Sequence, residues 1–283
     1  MPTNLLLADH RSPAVGQAVR SPRSWARFLI GFAILYGVLG GLSGLDPTGR
    51  WRLPIAAVVV LTALVVERLL YRDATTALRS RLGLGRPALR SVVVALAVSV
   101  VVITVYPLYA VVTGSWMPLQ PRWGWILLGL FGFHGLAEEI VWRGFAFRQL
   151  RVDRTFWQAV WWSMPLIAAT HVPIPITMGP VIGVGAMLVA AVTSISFSYL
   201  YETGRGTIWA PAIVHTAIDT FKLFVIPTSG TTTISLLLIL ISLTVPLLAL
   251  VVPRHVFTGH AAGVAPDARA PAHSRGVANK FLS

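Results

Sequence analysis

The chain has 283 residues, of which 55% are hydrophobic and only 12% charged, and its mean hydropathy is +0.72. A water-soluble chain carries roughly 25% charged residues, so a soluble enzyme is excluded. The net charge of +13 would suggest nucleic acid in a soluble protein; here it points to anionic lipid, because basic residues gathered on one side of a membrane orient the chain and face its lipids. With no cysteine, disulfides, thiolate zinc sites and cysteine nucleophiles drop out together.

In chain order, residues 1–24 read as a polar, disordered tail and not a signal peptide. Eight apolar segments follow: Trp25–Leu45, Pro54–Tyr71, Ser91–Val112, Trp123–Phe145, Phe156–His171, Gly179–Tyr201, Ile208–Ile226 and Thr232–Val252. About 20 apolar residues cross a bilayer as a helix, and the run Thr155–Tyr201 alone holds 47 residues without Asp, Glu, Lys or Arg. Residues 253–283 read as a second disordered tail. The expected fold is an all-α polytopic transmembrane bundle over 25–252, with lipid as its surroundings and no nucleic acid as partner.

The arginines test this layout. Four at the N-terminal end, five in Arg72–Arg90, three in Phe147–Arg154, Arg205, and four Lys or Arg in the last segment give 17 on one side, against Arg50, Arg52 and Arg122 on the other. The positive-inside rule then puts both termini in the cytoplasm of a multi-pass cell-membrane protein. No internal repeat of the transporter kind is visible.

Ionisable side chains within such spans are costly and usually face a protein cavity. Glu67, Arg68, Arg143 and Lys222 fall near helix ends, where snorkelling is the default reading. His134, Glu138, Glu139, His171, His215 and Asp219 do not. Glu139 and Arg143 are four apart, so they share a helix face and can pair, which leaves Glu138 as the carboxyl poised to act as base or acid. His134 and Glu138 share the neighbouring face. His171 alone is more often a hydrogen-bonded core residue than a ligand. His215 and Asp219, again four apart, suit two metal ligands or an imidazole with a polar partner, and equally a packing role. Together they read as one cavity, since a carboxylate with two imidazoles is what water activation and oxyanion stabilisation require.

The order Glu138-Glu139-x-x-x-Arg143-Gly144, His171, His215-x-x-x-Asp219 resembles the CPBP intramembrane proteases, the CAAX-protease and bacteriocin-processing (Abi-like) group, over roughly residues 123–224. The resemblance implies an intramembrane endopeptidase acting on a membrane-associated peptide or protein. In it Glu138 takes a proton from a water that also touches His171, while His215 and residue 219 hold the oxyanion and Glu139 and Arg143 support them. Two positions depart from the family pattern: Ile167, where Phe is common, and Asp219, where Asn is common. An ionised Asp cannot donate to an oxyanion, so Asp219 has to be protonated, orient His215 or bind a metal. A metal-free mechanism is favoured, with zinc on Glu138, His171 and His215 as the alternative; the resemblance gives His134 no role.

Two further readings compete: a non-catalytic immunity or scaffold protein on the same fold, and an ion-coupled transporter. In a straight hairpin Glu138 and His171 lie about 10 Å out of level at 1.5 Å per residue, and the expected cavity is in the cytoplasmic half of the bilayer.

Overall fold

The structure is a computed structural model that describes residues 19–46, 48–72 and 75–258. Most of both expected tails lies outside the described residues. The first helix, α1 (Pro22–Gly44), starts three residues before the expected span because Ser21 and Ser24 form a capping box and Pro22 occupies the first turn, satisfying amides that the helix leaves open. At its far end the Asp46 carboxylate accepts from the Arg50 and Trp51 amides, turning the chain into α2 (Arg52–Tyr71). A short helix α3 (Thr75–Arg81) leads to α4 (Leu89–Ile103) and α5 (Val105–Thr113). These two are one apolar stretch broken at Thr104, where Pro107 lacks an N–H and its ring opposes the carbonyl of Ile103.

The central helix runs unbroken from Trp123 to Arg151. It comprises α6 (Trp123–Leu130), π-helical turns at Phe131–Ala137 and Ile140–Phe147, and α7 (Arg148–Arg151). It therefore continues well past the expected end at Phe145, and the turn before the next helix is only residues 152–155. A Thr155–Gln158 capping box opens α8 (Phe156–Ala169), which contains Pro165, and α9 (Pro173–Met178) completes that crossing. After Gly179, at a φ of +87°, come α10 (Pro180–Thr203), α11 (Trp209–Asp219), a 3-10 turn at Thr220–Leu223, α12 (Thr231–Thr244) and α13 (Arg254–Thr258). No strand occurs among the described residues; Leu119 and Phe224 form an isolated antiparallel bridge.

Seven helices among the described residues have the length and apolarity to cross a membrane. The expected seventh span, Ile208–Ile226, is shorter than predicted: α11 has eleven residues, about 16 Å. Different loops meet its two ends. The Ile208 amide donates to Gly83 O at 3.0 Å and Trp209 Nε1 to Gly85 O at 2.8 Å. Beyond α11, Gln120 N donates to Leu223 O and Val225 N to Pro118 O. Loops from opposite ends thus dip inward to meet it. Ala210, Ala212, Val214 and Ala217 are buried, so α11 needs protein on its flanks and no lipid-matching length.

The two ends of the bundle differ in charge. One end gathers Arg20 with Asp153 at 3.5 Å, Arg254 with Glu202 at 3.2 Å, and Arg151 with Glu202. The other carries Asp46, Arg50, Arg52 and Arg122. Exposed tryptophans mark both ends, Trp51, Trp116, Trp123 and Trp125 at the arginine-poor one and Trp157, Trp161 and Trp162 at the other, as in the aromatic belts of membrane proteins. Two buried apolar clusters fill the interior. One joins α1, α2, α8 and the central helix, and the other joins α4, α5, α11 and α12.

Candidate active site

The site forms where the central helix departs from α geometry. The Glu138 amide donates to Phe133 O, five residues back, and the Arg148 amide to Arg143 O. Such π turns trade hydrogen-bond quality for a wider helix and recur at functional sites. Gly135 lets α11 approach: a Cβ there would lie 2.6 Å from Thr216 Oγ1 and 3.1 Å from Ala212 O. This close approach of two backbones brings the ionisable groups of both helices together.

His215, on α11, lies between the adjacent carboxylates. Its Nδ1–H donates to Glu139 Oε1 at 2.7 Å, and its Nε2 is 3.6 Å from Glu138 Oε2. Glu139 is fully buried and also accepts from Arg143 Nη1 at 3.0 Å, while the Arg143 guanidinium stacks over Phe197 at 4.8 Å. Glu138 Oε1 accepts from His134 Nδ1 at 2.7 Å, and its Oε2 faces Trp142 Nε1 at 3.5 Å. Lys222 donates to His134 Nε2 at 3.0 Å and forms an ion pair with Asp219. Asp219 Oδ2 lies 3.5 Å from His134 Nδ1 and 3.6 Å from His215 Nε2. The separations around His215 Nε2 are too long for direct hydrogen bonds and suit a bridging water.

Glu138, Glu139, Arg143, His215 and Asp219 therefore meet as their spacings suggest. Two other residues do not follow the sequence reading. Lys222, read as snorkelling, turns inward, because the 3-10 turn after Asp219 swings it back over Asp219 and His134. Glu67, read likewise, is fully buried and pairs with Arg148. His134, to which the motif gave no role, bonds Glu138 as their four-residue spacing suggests.

His171 is set apart from this cluster. The short turn at 152–155 removes most of the expected 10 Å mismatch, since His171 is 15 residues past the start of α8 and Glu138 13 residues before Arg151, roughly 22 and 20 Å. Yet α8 packs on α10 and on the π turns beyond Glu138. His171 Nδ1–H donates to Ile167 O at 3.0 Å, and among the described residues no hydrogen bond or ion pair joins it to Glu138, His215 or Asp219. Its Nε2 makes no hydrogen bond within the described residues. Among the described residues, the imidazoles within direct contact distance of Glu138 are those of His134 and His215.

A cavity of about 280 Å³ adjoins the cluster, with His134, Lys222 and Phe133 on one wall and Ser43, Asp46 and Arg52 on the other. Those last three lie at the arginine-poor end, so the cavity is not in the half where the sequence reading set it. His134, Glu138 and His215 also present donor atoms within 4.8 Å of one another, a His₂Glu set of the kind that holds catalytic zinc. To bind through His134, an ion would replace either the Lys222 contact at Nε2 or the Glu138 bond at Nδ1.

Comparison with known proteins agrees with the motif reading. Residues 118–221 match the family model described as Rce1-like, type II CAAX prenyl endopeptidase. No curated protein and no solved structure matches the chain. The matched stretch contains Glu138, Glu139, Arg143, His171, His215 and Asp219 and ends one residue before Lys222.

Proposed function

We propose, for a chain whose residues 118–221 match the CAAX-type intramembrane protease family, that it hydrolyses a peptide bond of a membrane-associated peptide or protein with Glu138 as the general base. The observation that carries this reading is the His215 Nε2 position, 3.6 Å from both Glu138 Oε2 and Asp219 Oδ2, which turns three polar atoms toward one point that an attacking water can contact. Glu138 takes the proton of that water as its oxygen attacks the scissile carbonyl, then returns it to the leaving amine. His215 donates from Nε2 to the developing oxyanion. Glu139 holds the imidazole through Nδ1, as a carboxylate does in other hydrolytic sites, and Arg143 balances its charge.

Asp219 sets a negative charge beside both imidazoles while Lys222 compensates it, which removes the need for a protonated acid at this position. His134 fixes the Glu138 carboxylate. The resemblance assigns His171 to the attacking water, and its unbonded Nε2 is the edge that contact would use; catalytic contacts that are loose without substrate commonly tighten in the Michaelis complex. If a zinc-type ion is bound, His134, Glu138 and His215 would hold it, and it would supply Lewis acidity to the water.

The test is purified protein in lipid vesicles incubated with a panel of membrane-associated peptides, prenylated ones included, with products read by mass spectrometry. Cleavage of at least one peptide is expected, and total absence of cleavage across the panel contradicts the reading. Chelation followed by metal analysis separates the two forms of water activation: activity that survives full metal removal identifies the metal-free one.

A further inference from the structure

The cavity beside the cluster lies at the end of the bundle with few arginines. Ser43 ends α1, whose first turn is some 20 residues away at the arginine-rich end, where Arg20 pairs with Asp153. Arg52 opens α2, whose last turns carry Glu67, paired with Arg148. Lys222 adjoins Leu223, which is bonded to the Gln120 loop. All three therefore belong to one end, while Gly83, Glu202 and Arg254 belong to the other.

Charge in the cavity wall is unevenly committed. Asp46 spends its carboxylate on the Thr48 hydroxyl and the Arg50 and Trp51 amides, and Lys222 is paired with Asp219. Arg52 is half-buried and has no hydrogen-bond or ion-pair partner among the described residues; it lines the same cavity as His134. A guanidinium so placed matches a carboxylate, which it can hold through two parallel N–H bonds. At about 280 Å³ the cavity exceeds the ~15 Å³ that one water needs, so it has room for a side chain with its carboxylate.

We infer that substrate reaches the cluster from the non-cytoplasmic side, through this cavity, and that Arg52 binds a carboxylate on it. The side follows from the arginine distribution, since the arginine-rich end faces the cytoplasm. The substrates are then extracytoplasmic segments of membrane-associated peptides or proteins. The substrate half of this inference rests on the proposed endopeptidase reading, whereas the access half does not.

The absence of cysteine makes the access test direct. Ser43→Cys, in the cavity wall, and Arg86→Cys, exposed at the other end, are treated in intact cells with a membrane-impermeant maleimide. Labelling of Ser43→Cys from outside, with Arg86→Cys labelled only after permeabilisation, is the expected result. Labelling of Ser43→Cys only after permeabilisation, or not at all, overturns the access route. For the carboxylate, Arg52→Gln is to raise KM about 10- to 100-fold at near-constant kcat, with partial rescue by Arg52→Lys. The rise is expected only for peptides bearing the carboxylate. Amidating the C-terminus and replacing Asp by Asn then separate a terminal carboxylate from a side-chain one, and an unchanged KM for every acidic peptide overturns the role of Arg52. If wild type cleaves nothing, the endopeptidase reading fails while the labelling result still decides the access face.

Discussion

Glu139 is the residue whose role changes most between sequence and structure. Spacing alone pairs it with Arg143; the fold adds His215, so one buried carboxylate serves both a structural ion pair and the orientation of an imidazole. Glu139→Gln is accordingly expected to fail twice. Leaving Arg143 buried without its anion costs about 3–5 kcal/mol, read as a lowered Tm, and the misoriented His215 lowers kcat by on the order of 10²-fold or more. A variant that loses only stability would reduce Glu139 to a packing role. His134→Ala tests the imidazole to which the motif gave no part in the chemistry. Its kcat is expected to fall on the order of 10²-fold with little change in Tm. The signal for His134 was present in the sequence, four residues before Glu138, as was that for Lys222, three after Asp219. What hid Lys222 was the 3-10 turn, whose reversal no hydrophobic pattern encodes.

At the scale of elements, two glycines on the central helix make different predictions. Gly135→Ala drives a methyl against Thr216 Oγ1 and Ala212 O, which pushes α11, and with it His215, away from Glu139. Gly144→Ala meets Leu82 O at 2.8 Å, a contact that does not involve α11 although Arg143 is its neighbour in the chain. Overpacking of this kind costs about 1–3 kcal/mol in either case, so both variants should show a lower Tm. Only Gly135→Ala should also lose kcat; equal kcat losses would contradict the view that the glycine contact sets the register of the site. The π turns themselves were not legible, since a straight α-helix already pairs residues four apart. The brevity of α11 was also hidden: its small apolar residues read as a span, and only the loops bonded to its two ends show that eleven residues suffice.

For the whole molecule, the charge-free runs disclosed a bundle of seven to eight passages, and the arginine count grouped the loops by end. Both are consequences of what a bilayer excludes, and for that reason they were readable without coordinates. The depth and opening of the site were not, because they depend on how the 152–155 turn consumes residues and on which loop dips inward. The Glu67–Arg148 pair belongs to this scale, tying α2 to the central helix inside the bundle. Glu67→Ala removes the buried carboxylate that Arg148 pairs with and is expected to lower stability by about 3–5 kcal/mol in thermal unfolding, while the surviving folded protein keeps its kcat. A stability change near zero would show that the pair is not formed in the membrane.

The proposed chemistry leads back to the carboxylate of Glu138 and the water it is placed to deprotonate. The most direct measurement is the single-turnover cleavage rate of Glu138→Gln beside wild type, on a peptide the wild type cleaves and with Tm recorded for both. The expected rate is lower by about 10²- to 10⁴-fold at a Tm that shows an intact fold; a rate within a few-fold of wild type would contradict the role given to Glu138.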